Sequence, residues 1–387
     1  MKKFILSLVA SSAIVFGFII PTTAVNADEG ALDAWLKEAQ LGPYLPESED
    51  WDAVRALAAE EPPLLVFMST SRVEKISKSF SEKYPDVKVE PLYSRQPELI
   101  ERVTREFQAG LSDVGIIEFA DASTVPLLPE GSLVTFIPQE VAHLYPEDKK
   151  EPFQYASYYY GWGYNPLASP DGVPFKSIWD LTTEEFHGKL ILEDPVKSLD
   201  THKYLTNIVA RPDEVAADYE ATFGEPLEIS EADAGFEWLR RLLENEPTVV
   251  SAWREAADIL HQNPEKIIVS GLNFARMSKV VDGTYNMAFA TSITPVETVE
   301  ITRWVAINAF SKSPNAAKLY IRELIDNPIG APIFDHGFSS PKQGWGTSVE
   351  WMQPMLTMTS WPIDVDYMIQ RGYEVIDFWL LYGPQSK

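Results

Sequence analysis

The chain has 387 residues, which is enough for two or three lobes with well-filled cores. A hydrophobic content of 45% with 12% aromatic residues excludes a largely disordered chain, and a formal net charge of −25 argues against nucleic acid or an anionic membrane surface as a partner. Cysteine is absent, which excludes disulfides, thiolate metal sites and a cysteine-linked lipid anchor.

Residues 1–27 are predicted to be an export signal. Two lysines precede an apolar stretch over residues 4–20, and the small residues near Ala27 suit cleavage by a signal peptidase. The alternative is an uncleaved membrane anchor, because the apolar stretch is about as long as the shortest membrane spans. We expect cleavage, and therefore a soluble protein in the periplasm or outside the cell.

The next segment, residues 28–61, predicts a helical prelude. Apolar residues recur there at the spacing of two short amphipathic helices, with a turn at Gly42-Pro43 between them. We expect the prelude to pack against the lobe that follows it.

Residues 64–117 alternate between strand and helix patterns. An unbroken apolar run at Leu64–Met68 predicts a buried strand, and helical spacing from Val73 ends before Pro85. A second strand at Val87–Val89, a helix from Pro97 and a strand at Asp113–Ile117 follow. This order predicts a parallel sheet with its ligand site beyond the carboxyl ends of the strands.

The same stretch resembles a known family. An F-x-x-x-Y-P segment at Phe80–Pro85, V-x-V at Val87–Val89, and D-V after Glu106–Gly110 resemble the opening of extracytoplasmic solute-binding proteins of ABC transporters. The matching group has the periplasmic binding protein type II fold and includes ferric-ion binders. The resemblance implies an α/β fold with two lobes, each a mostly parallel sheet flanked by helices, and a cleft between the lobes.

Later segments extend this resemblance from about residue 64 to about residue 341. Residues 153–165 resemble the crossover strand, and residues 178–190 resemble the start of the second lobe. The implied division is a first lobe of residues 62–158 and 296–345, a second lobe of residues 159–295, and a C-terminal helical segment of residues 346–387. From their apolar patterns we also expect residues 211–262 to be helical, residues 285–290 to form a strand and residues 365–381 to form a closing helix. Tyr160 and Trp162 of the crossover strand either line the cleft or pack in the core.

Candidate ligand contacts are small polar or basic residues at loops that should face the cleft. They are Ser69, Thr70, Ser71, Arg72, Ser94 and Arg95 in the first lobe, and Ser198, Thr201, Thr291 and Ser292 in the second. Free N–H groups and hydroxyls at a helix start suit an anion, and Arg72 and Arg95 suit a carboxylate, phosphonate or phosphate. The alternatives are simple helix capping for Ser198 and Thr201, and an exposed helix-start charge for Arg95.

Glu118 lies where the resemblance places a metal-ligating carboxylate, and the alternative is a solvated loop carboxylate. Ferric binders carry two adjacent tyrosines where Ile293 and Thr294 stand here, and some carry histidine at the position of Ser71. Two of the family's metal ligands are therefore missing, and we expect neither a metal nor a cofactor. Iron binding through tyrosines of residues 158–160 stays open as an alternative.

The sequence thus predicts a binding protein that closes on a small organic anion and delivers it to the permease subunits of an ABC transporter. We expect a monomer without enzyme activity, because no catalytic motif is present. The alternatives are a ferric-ion-binding protein of an iron uptake transporter, a binder of a polyamine-like cation, and a secreted acidic hydrolase with two facing carboxylates. The acidic net charge would oppose long-range capture of an anion, so local donors would have to dominate.

Overall fold

The structure of the protein is a computed structural model that describes residues 29–93, 96–110, 112–120, 122–128, 130–325 and 330–384. The predicted export signal, Ser94 and Arg95 lie outside the described residues. Within the described part, we find no helix that combines the length and the hydrophobicity needed to cross a bilayer.

Thirteen α-helices and eleven strands alternate along the described residues. The helices are α1 (Glu29–Ala39), α2 (Trp51–Glu60), α3 (Val73–Lys83), α4 (Gln96–Gln108), α5 (Gln139–Ala142), α6 (Leu199–Val209), α7 (Pro212–Phe223), α8 (Ala234–Glu244), α9 (Trp253–Gln262), α10 (Met277–Val281), α11 (Pro314–Leu324), α12 (Ala331–Phe334) and α13 (Val365–Tyr382). The strands are β1 (Leu64–Met68), β2 (Val89–Tyr93), β3 (Val114–Phe119), β4 (Leu133–Val134), β5 (Gln154–Tyr164), β6 (Leu190–Glu193), β7 (Thr248–Val250), β8 (Val269–Asn273), β9 (Ala288–Phe289), β10 (Thr298–Asn308) and β11 (Ser360–Pro362).

The strands form a sheet in the order β2-β1-β3-β10-β5-β8-β6-β7. In the first lobe, β1 pairs in parallel with β2 and β3, and in the second lobe β6 pairs in parallel with β7 and β8. The two long strands β5 and β10 pair antiparallel between these groups, from Thr298 opposite Gly161 to Trp304 opposite Gln154. The protein is therefore a two-lobe α/β structure with helices flanking the sheet, as predicted.

The opening unit has the predicted elements. β1 spans Leu64–Met68, and α3 buries Val73, Ile76 and Phe80 completely on one face before it ends ahead of Pro85. Apolar residues at this spacing lie on one face of a helix, and that face packs against the sheet. The pattern predicts α3 for this reason.

Three predictions of secondary structure are wrong in extent. The strand predicted at Val87–Val89 is β2 at Val89–Tyr93, because Val87 donates its backbone N–H to the Tyr84 carbonyl in a turn. The strand predicted over residues 285–290 is limited to β9, because Tyr285 donates its backbone N–H to the Lys279 carbonyl and Asn286 donates to the His261 ring instead of to a neighbouring strand. The segment from residue 211 to 262, expected to be helical throughout, contains the strand β7 between α8 and α9.

The prelude packs against the first lobe, as predicted. Trp35 donates its indole N–H to the Ser311 carbonyl at 3.1 Å. The Glu61 carboxylate accepts from the backbone N–H groups of Asn315 and Ala316 at 3.0 and 2.8 Å, which caps the start of α11. A carboxylate at the free N–H groups of a helix stabilises that helix start.

The C-terminal segment joins both lobes. The closing helix predicted at residues 365–381 is α13, and its Gly372 carbonyl lies 2.8 Å from the His202 ring nitrogen of α6. Asn207 of α6 donates to the Pro362 carbonyl, and β11 pairs in parallel with β10. Val365 packs into the apolar cluster of the first lobe that contains Phe119. The segment therefore lies across the connecting strands.

Replacing Gly235 with alanine is expected to lower the free energy of unfolding by about 1–3 kcal/mol, as overpacking of a core usually does. A Cβ at Gly235 in α8 would lie 2.6 Å from the Val209 Cα and 2.8 Å from its carbonyl oxygen, and backbone atoms move little. Urea denaturation measures the change. The matched control is Gly346→Ala, where a Cβ meets nothing within 4 Å; equal effects at the two glycines would contradict the prediction.

Candidate functional site

A cavity of about 280 Å³ opens where the two lobes meet. Its wall includes the loop after β1, the end of β2, the end of β8, the first turn of α6 and residues of the long strands β5 and β10. The carboxyl ends of parallel strands from both lobes thus converge here, where open α/β sheets bind ligands.

The loop of Ser69 to Arg72 forms one side of the cavity. Ser69 donates both its backbone N–H and its hydroxyl to the Glu118 carboxylate, at 2.9 and 2.8 Å. The Thr70 hydroxyl accepts from the Arg72 backbone N–H at 3.3 Å, while Ser71 is exposed. All four residues line the cavity, with Ser71 and Arg72 at the start of α3.

Glu118 lies within β3 and is fully buried, so the solvated loop carboxylate considered from the sequence is wrong. Arg303 of β10 donates to Glu118 at 2.9 Å and also to the Ser69 hydroxyl. Burial acts to lower the pKa of Arg303, but the surrounding acidic groups, of which Glu118 contributes most, together outweigh burial and raise the pKa. Glu118 therefore supports the cavity from behind while the Arg303 guanidinium lines it.

Two further guanidinium groups line the cavity. Burial, followed by repulsion from Arg276 and Arg303, lowers the pKa of Arg72 to about 10, so that it stays charged at neutral pH. Burial also lowers the pKa of Arg276, whose Nε atom is buried without a hydrogen-bond partner among the described residues. Arg72 lies over the Phe338 ring at 5.3 Å, and Arg276 lies over the Trp253 ring at 4.3 Å.

A single carboxylate, Asp200, belongs to the described wall of the cavity. The Tyr158 hydroxyl donates to Asp200 at 2.5 Å, and the Asn273 side chain donates to its other oxygen at 3.1 Å. Asp200 lies in the first turn of α6, where the helix dipole favours negative charge. Burial, followed by the Asp200 charge, raises the pKa of Tyr158 well above its ordinary value, so that its phenol stays protonated.

Four of the predicted residues lie beside the cavity without lining it. Tyr160 is buried and its hydroxyl lies 2.9 Å from that of Thr201, while the Trp162 indole donates to Tyr204 at 2.8 Å. Ser198 caps α6 and accepts from the Thr201 backbone N–H at 3.3 Å. These side chains fix α6 against β5, and α6 in turn positions Asp200.

Thr291 and Ser292 lie in a separate depression near the C-terminal segment, beside Glu297 and Thr359. Ser292 donates its backbone N–H to the Glu297 carboxylate. The structure does not bring these two residues together with the loop of Ser69 to Arg72.

The sequence reasoning missed the cavity residues Arg276, Arg303, Asp200 and Asn273. One signal pointed to Arg303, because it is a charged residue inside an otherwise apolar strand pattern. Arg276 follows β8 directly, as Arg72 follows β1, so the rule about strand ends would have found it once β8 had been assigned.

Metal ligands are sparse in this region. Within the described residues, no group of three or more histidine or acidic side chains is placed to hold a metal ion. The hydroxyls of Tyr158, Tyr159 and Tyr160 are hydrogen-bonded to Asp200, Ser339 and Thr201 respectively, and burial raises the pKa of each.

Replacing Glu193 with glutamine is expected to stabilise the protein at pH 8 and to change its stability little at pH 4.5. Burial, followed by repulsion from Asp200, raises the pKa of Glu193 from 4.5 to about 7. The stabilisation from the protonated carboxyl is complete below pH 4.5 and is lost as the pH rises through 7. The gain at pH 8 should be about 1–3 kcal/mol in the free energy of unfolding.

Urea denaturation at the two pH values measures this difference. Glu185→Gln, at an exposed position, is the matched control and should have little effect at either pH. A Glu193→Gln effect of the same size at both pH values would show that the pKa of Glu193 is not raised.

No protein-family model matches the chain, and a comparison with curated proteins finds no match either. Solved structures do match. An apo ferric ion-binding protein A from Pasteurella haemolytica has a TM-score of 0.65 at 15% identity, covering 84% of this chain and 99% of its own. An ABC transporter protein from Clostridium perfringens has a TM-score of 0.63 at 16% identity, covering 83% and 100%.

A Trichodesmium protein in complex with iron and citrate matches with a TM-score of 0.59 at 14% identity, covering 83% of this chain and 99% of its own. The Pasteurella structure is described as a ferric ion-binding protein and the Clostridium structure as an ABC transporter. At such identities the likeness concerns the fold. The chain has the two-lobe α/β fold of the type II periplasmic binding proteins, the fold that the resemblance in its opening unit predicted.

Proposed function

We propose that the protein is the extracytoplasmic solute-binding component of an ABC transporter and that it captures a small organic anion. The observation that carries this proposal is the convergence of Arg72, Arg276 and Arg303 on one cavity between the lobes. Guanidinium groups bind carboxylate, phosphonate and phosphate groups through two parallel hydrogen bonds. The hydroxyls of the loop after β1 add further donors beside them.

The net charge of −25 on the whole chain does not prevent the cavity from binding an anion. Glu118 neutralises Arg303, and the single carboxylate of Asp200 faces the two remaining guanidinium groups of Arg72 and Arg276, so an excess of positive charge remains at the wall. Charges in a water-poor cleft act over short distances more strongly than the distant surface charge does, because salt screens the latter. Local donors therefore dominate anion capture.

Capture is proposed to involve closure of the two lobes about β5 and β10, the strands that connect them. A contact across the cavity edge supports this idea, because the Lys203 ammonium of α6 donates to the Ala120 carbonyl after β3 at 2.5 Å. The closed form would then deliver the solute to permease subunits in the membrane. Location outside the cytoplasm and a monomeric state belong to the same proposal.

Ferric-ion binding is the second candidate, and the ferric binders among the similar structures favour it. Iron would need phenolate or carboxylate ligands, and Tyr93, Tyr158 and Asp200 are the described groups of this kind at the cavity wall. The three guanidinium groups disfavour a bare trivalent cation. Iron bound together with an anion would suit both the phenol and carboxylate groups and the guanidinium groups of the wall.

A thermal-shift screen of the mature protein against small anions, amines and Fe³⁺ tests the proposal. A ligand at 100 times its Kd stabilises the folded state by about 2.7 kcal/mol, which raises Tm measurably. We expect stabilisation by an organic anion in the absence of iron. Stabilisation by Fe³⁺ alone with a tyrosinate absorption band would favour the second candidate, and turnover of a glycoside without stabilisation would favour a hydrolase.

A further inference from the structure

The cavity wall carries charges of both signs that the protein leaves unpaired with each other. Arg72 and Arg276 supply positive charge and Asp200 supplies negative charge. In the described part of the chain, no ion pair within 4.0 Å joins Asp200 to either arginine or to Arg303, whose partner is Glu118. A cavity built for a simple anion would gain nothing from a carboxylate in its wall.

The described side chains that donate hydrogen bonds to Asp200 are neutral. Tyr158 donates to one oxygen of its carboxylate and Asn273 donates to the other. An ionised carboxylate offers about four acceptor sites, so each oxygen keeps capacity for a further donor. Asn273 is itself fixed, because its side-chain oxygen accepts from the Ala275 backbone N–H at 2.8 Å. The carboxylate is thus oriented by the protein without being neutralised by it.

Two of the three arginines at the cavity make no close ion pair. Arg303 is paired with Glu118, whereas within the described residues Arg72 and Arg276 have no carboxylate within 4.0 Å and lie over the rings of Phe338 and Trp253. The carboxyl groups of Asp200 and Glu193 act on Arg276 from a greater distance. A ring face orients a guanidinium but does not cancel its charge. An anionic group on the ligand would give both Arg72 and Arg276 a partner of opposite charge.

We propose that the solute is a small zwitterion, whose anionic group binds Arg72 and Arg276 and whose ammonium group binds Asp200. This inference rests on the proposed function and narrows its ligand class. A simple anion would face repulsion from Asp200, and a polyamine-like cation would face repulsion from the arginines. A zwitterion complements both parts of the wall at once, and the volume of about 280 Å³ suits a molecule of that size.

Matched pairs of compounds test the inference by calorimetric titration at pH 7.5. The pairs are β-alanine with propionate, taurine with ethanesulfonate, and 2-aminoethylphosphonate with ethylphosphonate. Within each pair the anionic group is the same and only the ammonium differs. We expect at least one amino compound to bind at least tenfold more tightly than its partner.

The Asp200→Asn variant shows whether this discrimination comes from Asp200. It should bind both members of the pair within about threefold of each other, and its Tm without ligand is measured alongside to show that it folds. Equal binding of both members by the natural protein, or discrimination that survives in Asp200→Asn, overturns the inference and leaves the proposed function intact. Failure of all six compounds and of a wider anion screen to bind overturns both.

Discussion

Replacing Arg303 with methionine is expected to lower the free energy of unfolding by about 3–5 kcal/mol. The substitution leaves the Glu118 carboxylate fully buried without its 2.9 Å cationic partner, and only the two donors of Ser69 and a long contact from Tyr155 remain. An uncompensated buried charge costs far more than an intact pair contributes. Urea denaturation at neutral pH measures the loss.

The double variant Glu118→Gln, Arg303→Met separates the buried charge from simple loss of packing. It removes the stranded carboxylate, so it should recover a large part of the stability that Arg303→Met loses, and the two changes should be strongly non-additive. A double variant no more stable than Arg303→Met alone would show that the loss comes from packing rather than from the buried, unpaired carboxylate of Glu118.

Replacing Arg276 with glutamine is expected to weaken binding of the solute identified by the screen by about 30-fold or more, while Tm without ligand stays the same or rises. A lost charge-assisted contact to a buried ionic group costs about 2–5 kcal/mol, which corresponds to a factor of this size. The stability of the unliganded protein should not fall, because Arg276 makes no ion pair within 4.0 Å among the described residues, and its buried Nε has no hydrogen-bond partner among them. Calorimetric titration and thermal denaturation give the two results.

Arg254→Gln is the matched control for Arg276. Arg254 also lies near the Trp253 ring, at 5.7 Å, but it is exposed and does not line the cavity. The control should leave affinity within about threefold, as expected for a screened surface charge. If the two variants weakened binding equally, the effect would be one of net charge rather than of the cavity.

The sequence was sufficient to predict the opening unit. Periodicity located β1 and α3, because an unbroken apolar run and a stripe at helical spacing each allow one way to bury apolar side chains. The rule that the ends of parallel strands meet at one edge of the sheet predicted the position of the loop of Ser69 to Arg72, which lines the cavity. Periodicity fails at residues 285–290, where hydrogen bonds to α10 and to His261 replace the strand ladder.

The aromatic strand β5 shows why the site was harder to predict. Tyr158, Tyr160 and Trp162 project to the same face, as alternation requires, and they contact Asp200, Thr201 and Tyr204 of α6 in turn. Only Tyr158 reaches the cavity, because only the first turn of α6 borders it. That outcome depends on the docking of a helix from a distant part of the chain, which periodicity does not encode.

The positions of the cavity arginines were hard to predict for the same reason. Arg72 was predicted because it follows the first strand, whereas Arg276 and Arg303 come from segments separated from it by more than 200 residues. Their convergence is a property of the pairing of β5 with β8 and β10. Tertiary pairing of this kind must be known before such residues can be assigned to one site.

The most direct test of the central claim is an anomalous-scattering measurement on crystals of the mature protein soaked in selenate, a tetrahedral anion whose position is read from its own signal. The account predicts an anomalous peak in the cavity between the guanidinium groups of Arg72 and Arg276, and its disappearance in crystals of Arg276→Gln. Selenate bound only at surface sites, with water alone between those two arginines, would contradict it.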